Sequence, residues 1–287
     1  MKELNINDRT MSYLYDYTLA NSIIHTPIEV FLPTERDAND LSRIYLIAKP
    51  NMLSREHASF ELSEVFADLL NESQLHFITS NAKNILSKNS VRGQLIVHGI
   101  SSKRSDFYSE SKNDLTYVTR MICEVFKWKA SRGVAGNIRK SDRSITFTYD
   151  KITFNDYLNC LKLVDNANYF HFKLTDLSDK DIVNRWKFIS NMNSIAIIAW
   201  YNQEIVGWMS GCIINNKSYM LEHYYNPQFV NYYINDGLYN KYISICRGRG
   251  VNFVDFGTCL VSDKGLIMMK KKFSTQIKLS ANIVIKY

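Results

Sequence analysis

The order of apolar runs, glycines and turn residues predicts an α/β (α+β) chain whose C-terminal half is a mixed sheet with flanking helices. Three observations carry this. Of the 287 residues 46% are hydrophobic and 22% charged, the balance of a folded globular protein rather than a disordered one. Seven of the eleven glycines lie between Gly207 and Gly265, whereas three of the four prolines come by Pro50, so turn chemistry is concentrated late in the chain. Three successive apolar runs, "SIAIIAW", "EIVGWMSGCII" and "SYMLEHYY", are separated only by "YNQ" and "NNK", as in an antiparallel meander.

In the first half, "MSYLYDYTLANSII" reads as a helix and "IEVFL" as a short strand ending at Pro33. "TERDANDLSRIYLIAK" opens with Thr34 as a cap and Glu35 and Asp37 in the first turn, which predicts a helix. "FELSEVFADLLNES" places Leu62, Val65, Phe66 and Leu69 at helical spacing. "LHFIT" and "GQLIVHGI" read as strands. "NDLTYVTRMICEVFKWKA" is the longest helix expected, with Leu115, Val118, Ile122, Val125 and Phe126 on one face, and "SITFTY" alternates like a strand.

In the second half "YFHFKL" alternates as a strand. In "SDKDIVNRWKFISNM" Ser178 is an N-cap with Asp181 three residues on, close to a capping box. The meander follows and Pro227 closes it. "DGLYNKYISICR" is a helix capped by Asn235 or Asp236 and ended by Gly248 and Gly250. "VNFVDFG" is apolar on both faces and therefore central. "DKGLIMMKKKF" reads as a short helix with Leu266, Met269 and Phe273 inward and its lysines outward, and "QIKLSANIVIKY" gives the last one or two strands. The composition shift sets a domain boundary at 165/166: residues 1–165 form an N-terminal α/β domain of no assigned role, and 166–287 form the second domain.

Several chemistries are excluded at this level. No run of about 20 apolar residues exists to span a membrane, and the N-terminus lacks a secretory signal's apolar core, so a cytoplasmic location is expected. Five scattered cysteines form no CxxC, and six dispersed histidines form no HxxxH pair, so reduced packing thiols and no metal site are expected. From Lys241 onward nine Lys/Arg face two acids, so the whole net charge of +7 falls there while residues 1–240 balance. That field suits an anionic partner, and a solvated basic face is the plainer explanation.

The order strand, helix, three-stranded meander, helix, central strand, helix, final strands resembles the GNAT acyltransferase fold. Leu238-Tyr239, Gly250, Asp255-Phe256-Gly257, Gly265-Leu266 and Lys270 with Phe273 narrow this to its FemAB-like (peptidoglycan-peptide ligase-like) branch; Met269 stands where that branch usually has an aromatic residue. The resemblance covers residues 169–287. FemAB-like proteins contain two such domains, which implies that 1–165 is a diverged GNAT-like half. It implies an acyl- or aminoacyl-transferase that forms an amide on a small amine acceptor, with no permanently bound cofactor. Acetyl-CoA-using GNAT enzymes carry a Gln/Arg-x-x-Gly-x-Gly/Ala loop before the helix that holds the pyrophosphate. The matching segment here, "NPQFVNYYINDG", has only Gly237. Of acyl-CoA, acyl-carrier protein and aminoacyl-tRNA as donors, the last two are the more compatible.

Acyl transfer to an amine needs a base, a polarised carbonyl and an acid for the leaving group. Glu222 and His223 end the third meander strand and point to opposite faces, so only one of them faces a site; His223 is the candidate base. Asp255 leaves a buried strand and must be paired or functional. Tyr239 is either a proton donor or core. Lys270 is the candidate anion contact, and Trp208 and Tyr225 are the aromatics of the set Trp200, Tyr201, Trp208, Tyr219, Tyr224 and Tyr225 assigned to substrate lining. Three other readings stay open. One is an acyl-homoserine-lactone-type signal synthase, faintly echoed by "RMICEVFKW". The others are a non-enzymatic nucleic-acid-binding protein and an inert GNAT-fold partner-binding protein.

Overall fold

The computed structural model describes residues 14–16, 28–32, 43–50, 58–88, 93–101, 114–149, 152–166, 177–191 and 193–286. The chain divides into two compact units, Met1–Thr119 with Lys278–Tyr287, and Arg120–Ile277. This partition differs from the division at 165/166 read from the sequence.

The first unit contains β1 (Ile28–Phe31), β2 (Arg43–Pro50), β3 (Ala58–Leu62), α1 (Glu64–Leu69), α2 (Glu72–Ser80), α3 (Ala82–Lys88) and β4 (Gly93–Ser101). β1, β2 and β3 are antiparallel neighbours, and β3 runs parallel to β4. The strands expected at "IEVFL" and "GQLIVHGI" form. Three other expectations are corrected. Residues 43–50 are a strand, not the end of a helix; Thr34, Glu35 and Asp37 lie outside the described residues. Phe60 and Leu62 belong to β3, so the next helix is only α1. "LHFIT" lies in α2, because Asn71 and Gln74 form a capping box (2.8 and 3.4 Å) that starts a helix burying Leu75 and Ile78. Of the first expected helix only Leu14 to Asp16 are described, and they are helical.

β5 (Asp114–Glu124) carries the chain into the second unit. A helix is expected over this stretch. Its Thr116, Tyr117, Val118, Thr119 and Ile122 are β-branched or aromatic and suit a pleated surface better. Burial of Arg120, Met121, Ile122 and Cys123 in succession removes the alternation that would have marked a strand. Phe126, placed on the buried face by helical spacing, is 58% exposed. The "RMICEVFKW" stretch is therefore strand and turn, which removes the echo of a signal-synthase helix.

The second unit continues with α4 (Arg132–Ser144), β6 (Thr146–Thr148), α5 (Phe154–Leu161), α6 (Leu163–Asn166), α7 (Asp179–Ile189), β7 (Ser194–Tyr201), β8 (Glu204–Ile214), β9 (Lys217–Tyr225), a 3-10 turn (Pro227–Tyr232), α8 (Ile234–Gly248), β10 (Phe253–Leu260) and α9 (Lys264–Lys271). Its strand order is β5-β10-β9-β8-β7-β6. β6 to β9 are antiparallel, and β10 is parallel to β9. The "YFHFKL" strand lies outside the described residues. The Ser178 cap forms as a capping box with Asp181, and the β7–β8 turn has Asn202 and Gln203 at φ 46 and 69, the positive values a primed hairpin needs.

Helix α8 lies hard against the meander on one side and against α4 and β6 on another, and a glycine permits each approach. A Cβ on Gly211 would meet the Tyr242 hydroxyl and, at 2.5 Å, the Tyr219 carbonyl; one on Gly237 would meet Ser141 and Phe147. α4 packs on α8 through Val134, Ile138 and Ser141. One core, from Met121 to Phe273, fills the unit and includes Trp128, Ile197, Met209, Leu238, Tyr239 and Phe256. α8 ends where Gly250 takes φ +70. All five cysteines are buried, and none is in a disulfide among the described residues.

The last strand, β11 (Gln276–Lys286), pairs antiparallel with β4 from Ser280↔Ser101 to Lys286↔Gln94. α9 departs from expectation: Leu266 is 39% exposed, and Lys270, expected outward with its neighbours, is buried. Among the described residues no helix is long and apolar enough to cross a membrane.

Candidate active site

β9 and β10 pair at only three positions, Phe253↔Lys217, Val254↔Ser218 and Asp255↔Tyr219. Beyond them β9 continues to Tyr225 and β10 to Leu260 without pairing to each other. Separating parallel strands frees backbone groups that must find other partners. Lys270 supplies one: its Nζ donates to the Phe256 carbonyl oxygen at 2.5 Å. A buried ammonium thus sits where the strands part.

The two faces of β9 carry different chemistry. On one, Glu222 accepts from Trp208 Nε1 (2.9 Å) and Ser210 Oγ (3.0 Å) and pairs with Arg185 Nη1 of α7 (3.2 Å). Burial, with Glu222 beside them, pushes the Tyr157 and Tyr224 phenols well up. Glu222 and Trp208 therefore satisfy each other in a closed network. On the other face His223 meets α8: Nε2 lies 3.0 Å from Asn235 Oδ1, and its ring meets Tyr239 edge-on at 5.3 Å and stacks on Tyr225 at 6.0 Å. Because a carboxamide oxygen only accepts, Nε2 carries the proton and Nδ1 is the basic nitrogen. Burial lowers the His223 pKa to about 4; the Asn235 bond opposes this, and the Lys270 charge adds to it. The imidazole is neutral at pH 7.

Tyr239 is fully buried between Phe273 (4.8 Å) and Phe256 (5.0 Å), and among the described residues its hydroxyl has no hydrogen-bond partner. Burial raises its pKa far above the usual phenol value, so it holds its proton. Asp255 is at the closed end of the fork, where Arg120 (2.6 Å), Lys217 (2.8 Å) and the Gly257 N–H (2.9 Å) hold it. That arrangement is the paired reading of a buried carboxylate.

A cavity of about 310 Å³ is lined by Tyr225, Asn231, Tyr233, Asn235, Asp236 and Lys272, with Asn137 and Met269 at its wall; His223, Tyr239 and Lys270 lie behind this lining, His223 in contact with Asn235 and Tyr225. The capping expected of Asn235 or Asp236 is corrected. α8 begins at Ile234 after Tyr233 in a left-handed conformation (φ 54, ψ 38) with no side-chain cap. Asn235 turns instead to His223, and the buried Asp236 pairs with Lys272 at 3.4 Å.

Of the residues singled out from sequence, the structure brings His223, Tyr239, Lys270 and Tyr225 together, and places Glu222 and Trp208 on the opposite face and Asp255 at the fork's base. Asn235, which orients His223, and Asn137 at the cavity wall were not assigned such roles; Asn235 was visible only as a cap candidate. Among the described residues no three His, Cys, Asp or Glu side chains gather to hold a metal.

Solved structures share this architecture. The chain is similar to FemX (TM-score 0.64, 10% identity, 96% of this chain and 90% of that one). It is similar to L-PGS from Bacillus licheniformis (0.60, 10%, 100% and 94%). It is also similar to the GCN5-related glucosamine N-acetyltransferase region of a fungal multi-domain GH3 β-N-acetylglucosaminidase (0.52, 10%, 84% of this chain and 31% of that one). No protein-family model matches the sequence, and a search of curated proteins returns no match. Identities this low define a fold: the chain is a mixed α/β protein of GNAT-like architecture.

Proposed function

We propose that this chain is an acyl- or aminoacyl-transferase that forms an amide on a small amine acceptor, with its site at the fork between β9 and β10. The observation that carries this is a neutral imidazole, a buried ammonium and a protonated phenol gathered at one strand divergence, behind the Asn235 and Tyr225 side chains that line a cavity. Each matches a need of acyl transfer. The acceptor nitrogen bonds to the donor's carbonyl carbon and gives a proton to His223 Nδ1. The Lys270 ammonium stabilises the oxyanion of the tetrahedral intermediate. The bond from carbon to the leaving oxygen or sulfur then breaks, Tyr239 protonates the leaving atom, and the His223 imidazolium restores the phenol. Tyr225 lines the acceptor's place. Glu222, Trp208 and Asp255 act through position, as the network behind β9 and the anchor of the fork.

The likenesses to FemX and to an N-acetyltransferase region favour an activated acyl donor in general. For the particular donor, Asp236 places a carboxylate in the first turn of α8, where an anionic pyrophosphate would have to sit. Together with the missing glycines this favours an aminoacyl ester or a carrier-bound acyl group over free acyl-CoA, and a cytoplasmic setting in which such donors are found. Purified chain incubated with acyl-CoA, acyl-carrier-protein and aminoacyl-tRNA donors plus an amine panel should form amide product. Lys270→Met should lower the rate about 100-fold or more. No transfer from any donor class overturns the proposal.

A further inference from the structure

Asp255, Glu222 and Asp236 are all buried carboxylates of the second unit, and they are held very differently. Asp255 has Arg120, Lys217 and the Gly257 N–H at 2.6, 2.8 and 2.9 Å. Glu222 has Trp208, Ser210 and Arg185 at 2.9, 3.0 and 3.2 Å. Asp236 is 5% exposed, yet among the described residues its one contact is Lys272 Nζ, 3.4 Å from Oδ1, and Oδ2 has no partner. The positive end of α8 favours a carboxylate in the helix's first turn. A buried charge needs hydrogen bonds as well, and Asp236 lines the cavity.

The rest of the lining is complementary to a small dipolar ion. Its charged side chains are one carboxylate, Asp236, and one ammonium, Lys272, whose side chain is 39% exposed and free to turn. The Asn137 and Asn231 carboxamides make no hydrogen bond among the described residues, so each offers both a donor and an acceptor. Val230, Ile234 and Met269 add apolar surface. At about 310 Å³ the volume is at the small end of ligand sites. We infer that this cavity binds a zwitterionic α-amino acid with an apolar side chain. Asp236 Oδ2 accepts from its ammonium, Lys272 Nζ donates to its carboxylate, and its side chain lies against Val230, Ile234 and Met269. A simple cation meets the Lys272 charge, a simple anion meets Asp236, and an uncharged polyol leaves the two with only their long mutual contact. The inference rests on the transferase reading at one point, the role of the amino acid as amine acceptor. There the ammonium loses a proton to solvent and the amine then reacts as described above. The products are an N-acyl amino acid and the protonated leaving group.

The test is equilibrium binding of L-leucine, followed by titration calorimetry with no acyl donor present. The parent chain should bind leucine. Isoamylamine (no carboxylate), isocaproate (no ammonium) and leucine methyl ester (no carboxylate charge) should each bind at least about tenfold more weakly, because each lacks one charge-assisted pair. Asp236→Asn and Lys272→Met should each weaken leucine about tenfold or more. The analogues should then cross over: isocaproate should overtake leucine in Asp236→Asn, and isoamylamine should overtake it in Lys272→Met. A loss of packing alone produces no such crossover. Thermal unfolding checks both folds, and if Asp236→Asn does not fold, the exposed Lys272→Met decides with the same analogues. Absence of leucine binding to the parent overturns the inference, as does unchanged leucine affinity in Lys272→Met. So does methyl ester binding as tight as leucine's, which would make the cavity a seat for a donor's aminoacyl group. Leucine binding beside a silent donor panel keeps this site and removes the transferase. Amide formation on other amines without leucine binding keeps the transferase and removes this site.

Discussion

His223 faces two demands at once. As the proposed base it must be neutral to accept a proton, yet a histidine near solvent is half-charged near pH 6.5. Burial lowers its pKa to about 4, and the sign of the pH effects follows. A folded-state pKa below the unfolded one means that the unfolded chain binds the extra proton first, so stability is full above about pH 6.5 and falls as pH drops toward 4. His223→Asn should flatten that loss in a urea-melt series between pH 7 and pH 4. The acid limb of the pH–rate profile should sit near 4, and a limb at 6.5 would remove His223 as the base. Asp255 makes the contrasting case at the fork's base. Its carboxylate holds two cations and an N–H, so Asp255→Ala takes from the buried Arg120 and from Lys217 the carboxylate that both contact. A loss of about 3–5 kcal/mol is expected in chemical denaturation. That cost is structural, and it separates Asp255 from Lys270, whose replacement should lower turnover far more than stability.

At the scale of elements the joint between α8 and β8 decides whether the site exists. Gly211→Ala forces the Tyr242 ring and the Tyr219 carbonyl apart; overpacking of this kind costs about 1–3 kcal/mol. Tyr242→Phe in the same chain should recover only part of it, because the Tyr219 carbonyl remains and Ser218 Oγ loses its 2.7 Å partner; thermal unfolding of the two variants measures this. The elements also show where sequence was legible. The meander, α7 with its Ser178 cap, α8 and β10 were readable because their signals are local: alternation, hairpin residues, a capping box, an amphipathic stripe. β5 was not, since burial on both faces erased its period. α4 was not, since two glycines and four cations hide a helix that only Val134, Ile138 and Ser141 anchor. The site was half legible for the same reason. His223, Tyr239 and Lys270 stand on readable elements, but which face of β9 meets α8 depends on a β8–β9 register that shifts between Ser210 and Gly211. The Asn235 contact to His223 is a tertiary event without a sequence marker.

For the whole molecule the question is which stretch of chain is sufficient for the site. The basicity count pointed to the C-terminal end and hid α4, because the balance of residues 1–240 averages a basic helix against acids elsewhere. The domain boundary raises the same issue, since a composition shift marks where sequence character changes, not where packing closes. All members of the core that supports the fork, Met121 to Phe273, lie inside Arg120–Ile277. Cutting at 165/166 would remove β5, α4, β6, α5 and most of α6, and with them Met121, Trp128, Val134, Ile138 and Ile145 from the core. It would also take away Arg120, which holds Asp255. Fragment 120–277 should therefore unfold cooperatively on heating, with near-ultraviolet circular dichroism from its packed tyrosines and tryptophans. Fragment 166–287 should show neither, exposing apolar surface that binds a hydrophobic dye. If the shorter fragment instead gave the sharper transition, the compact unit would begin after α5, and the base of the fork would have to be held without Arg120.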